Sequence, residues 1–317
     1  WKRKWLGTKG RKNKKAPRMG SLFTDGQEGK SVAYYCARFV SWLCCLLPDR
    51  VSDGVGTLLG RLTWPLVPSR RRRMAIENVS ACLGVEAGEA THIAKASWVR
   101  FGPMFLEVMR FPVLKPRFLE IAELEGAEYL REGLALGRGV VIATAHSGNW
   151  ELMGGAFAQA GIPLVGVAKK QKDSGADRFI NEYRTMIGMH ITYKTGVREM
   201  FRMMGKGWAI GLIMDQDPSR HDGIVIDFFG QPTNCPTGAA SMARFADVPI
   251  FTSYMHRDEH GMHTLIVDGP FRVGHTKDKH ADIRAMTQFL THAIEEHIRR
   301  YPKEWFWLHD RWKSMRE

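Results

Sequence analysis

A chain of 317 residues that is 44% hydrophobic holds the apolar material for one sizeable core, and five Cys with no paired or zinc-type spacing exclude a disulfide or zinc-finger scaffold. The formal charge of +13 is unevenly spread: nine Lys and Arg and no acid fall within residues 1–18, which leaves +4 for everything else. Charge alone therefore does not make the body of the protein a polyanion binder.

The tail over 1–30 is expected to be disordered, either as a solvated arm or as a contact to anionic headgroups or nucleic acid. The chain opens on Trp1, and Met19 offers an alternative start that removes the tail. Residues 31–68 read as a membrane-associated helical element. The run SVAYYCARFVSWLCCLLP (31–48) is apolar and aromatic but short for a bilayer span, and it carries Arg38 near its middle. Basic residues on both sides favour a helix or shallow hairpin lying in the interface over a single crossing. Cys36, Cys44 and Cys45 are expected to be buried thiols, and the cysteine usage points to a reducing compartment.

Residues 69–317 form the main domain, with a helical lead-in over 69–125 and an α/β core over 126–317. Ile93, Ala96, Ser97, Phe101 and Phe105 recur at helical spacing, and Pro112 and Pro116 end that region. Strands are predicted at 140–145, 163–168, 209–214, 224–229, 248–255 and 263–268. Helices are predicted at 151–160, 177–187, 196–204 and 237–246, and a long last one at 281–300. The fold class is α/β, a mixed sheet flanked by helices.

The chemistry concentrates in VVIATAHSGNWELMGG. A buried-type strand runs into His146, a Ser147-Gly148-Asn149 turn follows, and Glu151 falls in the first turn of a helix whose free N–H groups suit an anion. A His followed five residues later by an acid is weak evidence alone, since 12 His and 33 acids predict about one chance match. The second match, His263 with Asp268, lies in an alternating strand that sends the two side chains to opposite faces. The turn is thus the arrangement expected to fold Glu151 onto His146. An imidazole oriented by a carboxylate can take the proton of an alcohol. Ser147 lacks a nucleophile elbow, so direct transfer is favoured over an acyl-enzyme. A structural His capping the helix is the alternative from this motif alone.

Several blocks in order resemble the late acyltransferases of lipid A biosynthesis, a family of the lysophospholipid-acyltransferase type that also includes phosphatidylinositol mannoside acyltransferases. They are RRRMAIENVSACLG (71–84), ATAHSGNWE, DRFINEYRTMIG (177–188), MDQD (214–217) and DFFGQPTNCPTGAASMA (227–243). The resemblance covers about residues 31–312. It implies a glycerol-phosphate-acyltransferase-like fold on the cytoplasmic face of a bacterial inner membrane. It places the catalytic pair on His146 and Glu151, and it implies that Arg184 holds an anionic group or the tetrahedral oxygen while Asp215 pairs with Arg184 or positions the dyad. Asn149, Lys169, Lys170, Asp217, Thr237 and Gly238 are the expected substrate contacts. Lys169-Lys170-Gln171 stands where many relatives have an Arg-Pro pair.

The implied donor is an acyl carrier protein or coenzyme A thioester, and the implied acceptor is a phosphorylated glycolipid, with a lipid A precursor favoured over a mannoside. No cofactor or metal is expected. A thioesterase, in which water replaces the alcohol, and a non-catalytic membrane-surface or nucleic-acid-binding protein are the competing readings.

Overall fold

The computed structural model describes residues 31–219 and 222–316, so the basic tail expected over 1–30 lies outside the described residues. The described residues open with two consecutive helices, α1 (Val32–Cys45) and α2 (Asp49–Thr63), separated at Pro48. Ser31 caps α1 by accepting the Tyr34 N–H. At 14 and 15 residues the two helices are about 21–23 Å long at 1.5 Å per residue, short of a bilayer core. None of the helices among the described residues is long and apolar enough to cross a membrane. The inner face of α1 is polar where it docks: the Tyr34 hydroxyl donates to Glu182 at 2.6 Å, and Ser41 donates to the Met109 carbonyl at 2.6 Å. On the outer faces Phe39, Trp42, Leu58 and Leu62 are exposed. Cys44 is buried as expected, but Cys36 is exposed because it lies on that outer face.

Where α2 crosses the helical lead-in, backbone meets backbone. A Cβ on Gly102 would lie 1.8 Å from the Gly56 carbonyl oxygen, so glycine is required for this approach. The lead-in comprises α3 (Ser69–Leu83), α4 (Ala87–Val99), α5 (Phe101–Met109) and the single turns α6 (Phe111–Leu114) and α7 (Phe118–Ile121). The expected apolar stripe breaks at Arg100, between α4 and α5. Ile93 and Ser97 are buried, but Phe105 belongs to the next helix and is exposed.

The core runs β1 (Ala122–Glu125), α8 (Ala127–Ala135), β2 (Val140–Thr144), α9 (Trp150–Gln159), β3 (Leu164–Ala168), α10 (Ser174–Met186), β4 (His190–Tyr193), α11 (Val197–Met204) and β5 (Ala209–Ile213). It continues through β6 (Ile224–Phe228), β7 (Gln231–Cys235), α12 (Gly238–Ala246), β8 (Ile250–Arg257), β9 (His263–Phe271) and α13 (Lys279–Arg300). Seven strands make one sheet in the order β1-β9-β8-β2-β5-β3-β4, in which β8 and β9 are antiparallel and every other pair is parallel. The sheet is mixed and flanked by helices on both faces. Every residue of β2 is buried, which is why its sequence is continuously apolar. Val140 and Ile142 point into a core shared with α5, α8, α9 and α10, whereas Val141 and Ala143 point into one shared with α3, α4, α12 and α13.

One expectation is corrected, and three strands were missed. Residues 224–229 do not join the main sheet; β6 pairs with β7 in a separate antiparallel hairpin. Its two-residue turn, Phe229-Gly230, has both φ positive, at 54° and 73°, and Phe228 packs against Trp305 and Trp312. The strands β1, β4 and β7 were not expected from the sequence. AELE is polar, HITY is a four-residue edge strand, and QPTNC contains a proline.

Candidate active site

At the carboxyl end of β2 the chain turns sharply through His146, Ser147 and Gly148 into α9. Gly148 has φ +63°, and a Cβ there would lie 2.0 Å from the Met255 carbonyl oxygen. Its N–H donates to the Glu304 carbonyl at 3.1 Å. Asn149 then caps α9 by accepting the Leu152 N–H at 3.0 Å. Gly148→Ala is expected to cost about 2–4 kcal/mol through backbone strain and overlap, measurable as a lower midpoint in denaturant unfolding, together with loss of activity.

The expected pairing of the charged groups is exchanged. The His146 Nδ1–H donates to Asp215 Oδ1 at 2.8 Å, and the His146 backbone N–H donates to Asp215 Oδ2 at 3.0 Å. Glu151 is held instead by a two-pronged contact from Arg184, Nε to Oε2 at 2.8 Å and Nη2 to Oε1 at 2.5 Å, and it accepts the Trp150 indole N–H at 3.2 Å. The reason lies in strand register. β2 and β5 are neighbours with Thr144 opposite Ile213, so the residues two positions beyond each strand end, His146 and Asp215, emerge side by side. Glu151 is carried away by the capped first turn of α9 toward α10, where Arg184 waits. With Nε and Nη2 committed, Arg184 retains Nη1, which donates to Asn181 Oδ1 at 3.4 Å.

Burial works against a charge on His146, but the adjoining Asp215 carboxylate outweighs it by charge and hydrogen bond, and the Glu151 charge adds to this, so the imidazole is held above its ordinary value. Burial likewise opposes ionisation of Asp215, yet His146 and the Trp305 indole N–H, which donates to Oδ2 at 2.7 Å, hold its carboxyl below the usual carboxylate range. With Nδ1–H committed to Asp215, the lone pair of His146 is on Nε2, and the side chain is 21% exposed. The Trp150 ring stands edge-on to the imidazole at 4.8 Å between centroids.

A second Ser–His contact adjoins this one. The Ser147 hydroxyl and His297 Nε2 are 2.8 Å apart. Ser147 is 1% exposed, and burial pushes His297 down to about 3, so that imidazole is a poor proton acceptor near neutral pH. The pair braces the loop and does not present a nucleophile.

The expected substrate contacts divide. Lys169 and Lys170 are exposed just beyond β3, without an acidic partner among the described residues. Asn149 is fully buried and both ends of its amide are engaged, the oxygen by Leu152 and the nitrogen by Glu107 at 2.6 Å, so it caps a helix rather than meeting a ligand. Asp217 is tied to the C-terminal segment: its N–H donates to His309 at 3.1 Å and its carboxylate accepts the Ser314 N–H at 2.7 Å. Thr237 and Gly238 begin α12, on the other face of the sheet from Glu151 and Arg184. His263, the second chance match, pairs with Glu107 at 3.0 Å and not with Asp268. No group of three His, Cys, Asp or Glu among the described residues is placed to hold a metal ion.

Beside Glu151 and Arg184 lies a narrow, half-open cleft, mostly apolar, lined by Trp150, Met153, Val167, Met189, Ile191 and Ile213. Gly166 and Gly211 are paired in register on adjacent strands beneath it, and the missing side chain of Gly166 lets Met189 and Ile191 lie close against the sheet. Thr144 also lines the cleft, and its buried hydroxyl has no hydrogen-bond partner. Sequence reasoning missed Thr144, Trp150, the two glycines and Trp305. The glycines interrupt otherwise apolar strands, a legible signal of close approach or open space; Trp305 carried none.

Residues 30–314 match the family described as bacterial lipid A biosynthesis acyltransferase. Among curated proteins, the phosphatidylinositol mannoside acyltransferase of Mycolicibacterium smegmatis is 29% identical over 69% of this chain and 72% of its own length. The protein of that name in Mycobacterium tuberculosis is 29% identical over 74% of this chain and 75% of its own length. The lipid A biosynthesis palmitoleoyltransferase of Escherichia coli is 24% identical over 87% of this chain and 89% of its own length. The match extends from α1 and α2 through the loop of His146 to the C-terminal segment, and so the chain belongs to the bacterial lipid A biosynthesis acyltransferase family and is an acyltransferase.

Proposed function

We propose that this protein moves a fatty acyl group from a thioester, on acyl carrier protein or coenzyme A, to a hydroxyl of a phosphorylated membrane glycolipid, a lipid A precursor. The observation that carries the reading is the commitment of His146 Nδ1–H to Asp215, which leaves Nε2 as a base against Trp150, a residue that also lines the apolar cleft we assign to the acyl chain. Nε2 takes the hydroxyl proton as the oxygen attacks the thioester carbonyl. The C–S bond then breaks, and the imidazolium returns the proton to the leaving thiolate. The tetrahedral oxygen is met by the free N–H groups that open α9 and by the positive charge of Arg184. Glu151 orients that guanidinium. No acyl-enzyme forms, because Ser147 is buried against a poor base.

The exposed apolar faces of α1 and α2 continue to Leu66, which is 78% exposed, and then to Arg70 and Arg73, which are exposed without acidic partners among the described residues. This sequence of greasy and basic surface suits a helix pair lying in the anionic face of a bilayer, and we place the protein on the cytoplasmic face of the bacterial inner membrane. Lys169 and Lys170 are the cations offered to a phosphorylated substrate.

Incubation with labelled acyl thioester, with and without glycolipid, tests the reading. Acyl glycolipid that forms only when acceptor is present supports transfer; free fatty acid at equal rate without acceptor makes the enzyme a thioesterase. The higher identity of the mannoside acyltransferases, over a shorter stretch, favours a mannoside acceptor as the second reading. Offering both acceptors to the enzyme and weighing the products separates the two.

The raised affinity of His146 for its proton has a kinetic consequence. The base must be neutral, and His146 stays protonated at a pH where a free imidazole has lost its proton. The value of kcat/KM should therefore rise with pH through a midpoint above about 6.5. A midpoint below that figure would contradict the assignment.

A further inference from the structure

We propose that Trp305 is the positioning residue of the His146–Asp215 pair, and that the C-terminal segment 304–308 is part of the active site; the proposal rests on the reading of His146 as the base. Of the three hydrogen bonds that Asp215 accepts among the described residues, two come from His146 itself, one from the ring and one from the backbone N–H. The third comes from the Trp305 indole at 2.7 Å, and it alone ties the carboxylate to an independent part of the fold. Without it, rotation of the carboxylate is opposed only by the residue it is meant to orient.

Trp305 is 1% exposed and is anchored on every side. Its carbonyl accepts the Ser97 hydroxyl at 2.5 Å, and its backbone forms an isolated antiparallel bridge with Ser147. The neighbouring bonds extend that bridge. Gly148 N–H donates to the Glu304 carbonyl at 3.1 Å, and Phe306 N–H donates to the His146 carbonyl at 3.2 Å. One short segment therefore grips the His146 loop by its backbone and Asp215 by a side chain. The indole ring is wedged edge-on against Trp307 at 4.8 Å and against Phe228 at 5.8 Å, so its N–H direction is set by packing.

The residue type suits the task. An indole donates one hydrogen bond and does not titrate, so it steadies the carboxylate without adding a positive charge that would compete with the imidazolium. A phenyl ring would keep most of the packing and remove the donor.

The test replaces Trp305 by Phe, and by 3-benzothienylalanine, which keeps the bicyclic shape and substitutes sulfur for the N–H. In both proteins kcat for acyl transfer should fall about ten- to a hundredfold, the range of one hydrogen bond to a charged group. KM for donor and acceptor should stay within about twofold, because Trp305 touches neither. The downfield proton resonance of His146 Nδ1–H should move or broaden, which a loss of stability elsewhere would not cause. If Trp305→Phe does not fold, the benzothienyl protein decides. Wild-type kcat in that protein, or a lowered kcat with the Nδ1–H resonance in place, overturns the proposal. His146→Ala in the same assay keeps the two claims apart: an active His146→Ala enzyme removes the base assignment, whereas an inactive one beside a fully active benzothienyl enzyme removes only the role of Trp305.

Discussion

Replacing His146 by Ala is expected to lower acyl transfer about 10³-fold or more while leaving the fold intact, since general base catalysis is commonly worth about 10²–10⁴ and no other group at the loop can assume it. Asp215 is held below the usual carboxylate range, which makes it a weak base, and both oxygens of Glu151 are occupied by Arg184. His297 is blocked by burial. The fold should tolerate the change because the ring is partly exposed and its main anchor is Asp215, whose second oxygen keeps the backbone N–H of residue 146 and the Trp305 indole. Steady-state transfer rates alongside thermal unfolding separate the two effects. Turnover near the wild-type rate in a folded His146→Ala protein would end the assignment.

Asp215→Asn is expected to be comparably damaging, up to roughly 10⁴-fold in kcat, the scale set by a histidine held in the wrong tautomer. The argument is one of donor count. Oδ2 accepts two N–H groups, from the His146 backbone and from Trp305, so an Asn side chain must turn its oxygen to that position. Its NH2 then faces His146 Nδ1, which becomes an acceptor, and the ring proton moves to Nε2. The base lone pair is thereby aimed at the wrong group. The substitution also removes the carboxylate that holds the imidazole above its ordinary value, so any residual activity should appear at lower pH than in the wild type. Nitrogen chemical shifts of His146 would report the tautomer directly; an Asp215→Asn enzyme that keeps the Nδ1–H form and its rate would contradict this account. Glu151→Gln should act differently. It leaves the tautomer untouched and loosens Arg184 instead.

The strand-turn-helix that carries His146 was legible from residues alone, because a buried parallel strand must be continuously apolar and a helix must be capped where it starts. VVIATA and Asn149 satisfy both conditions. The same logic located β3, β5, β8, β9 and α13 to within a few residues. It failed where local composition was neutral, as in β1 and β7, and it put 224–229 into the sheet because an apolar alternating run looks alike in a hairpin and in a core strand.

The amino-acid sequence by itself determined the class of fold, the loop on which the imidazole sits and the family to which the chain belongs. Only the tertiary structure decided which carboxylate serves that imidazole. Periodicity records which face of a strand is buried, not which strand lies beside it, and Asp215 reaches His146 solely because β5, 69 residues away, is the neighbour of β2 in the register that aligns Ile213 with Thr144. For the same reason no local pattern marked Trp305, whose indole acts through a contact 90 residues distant in the chain.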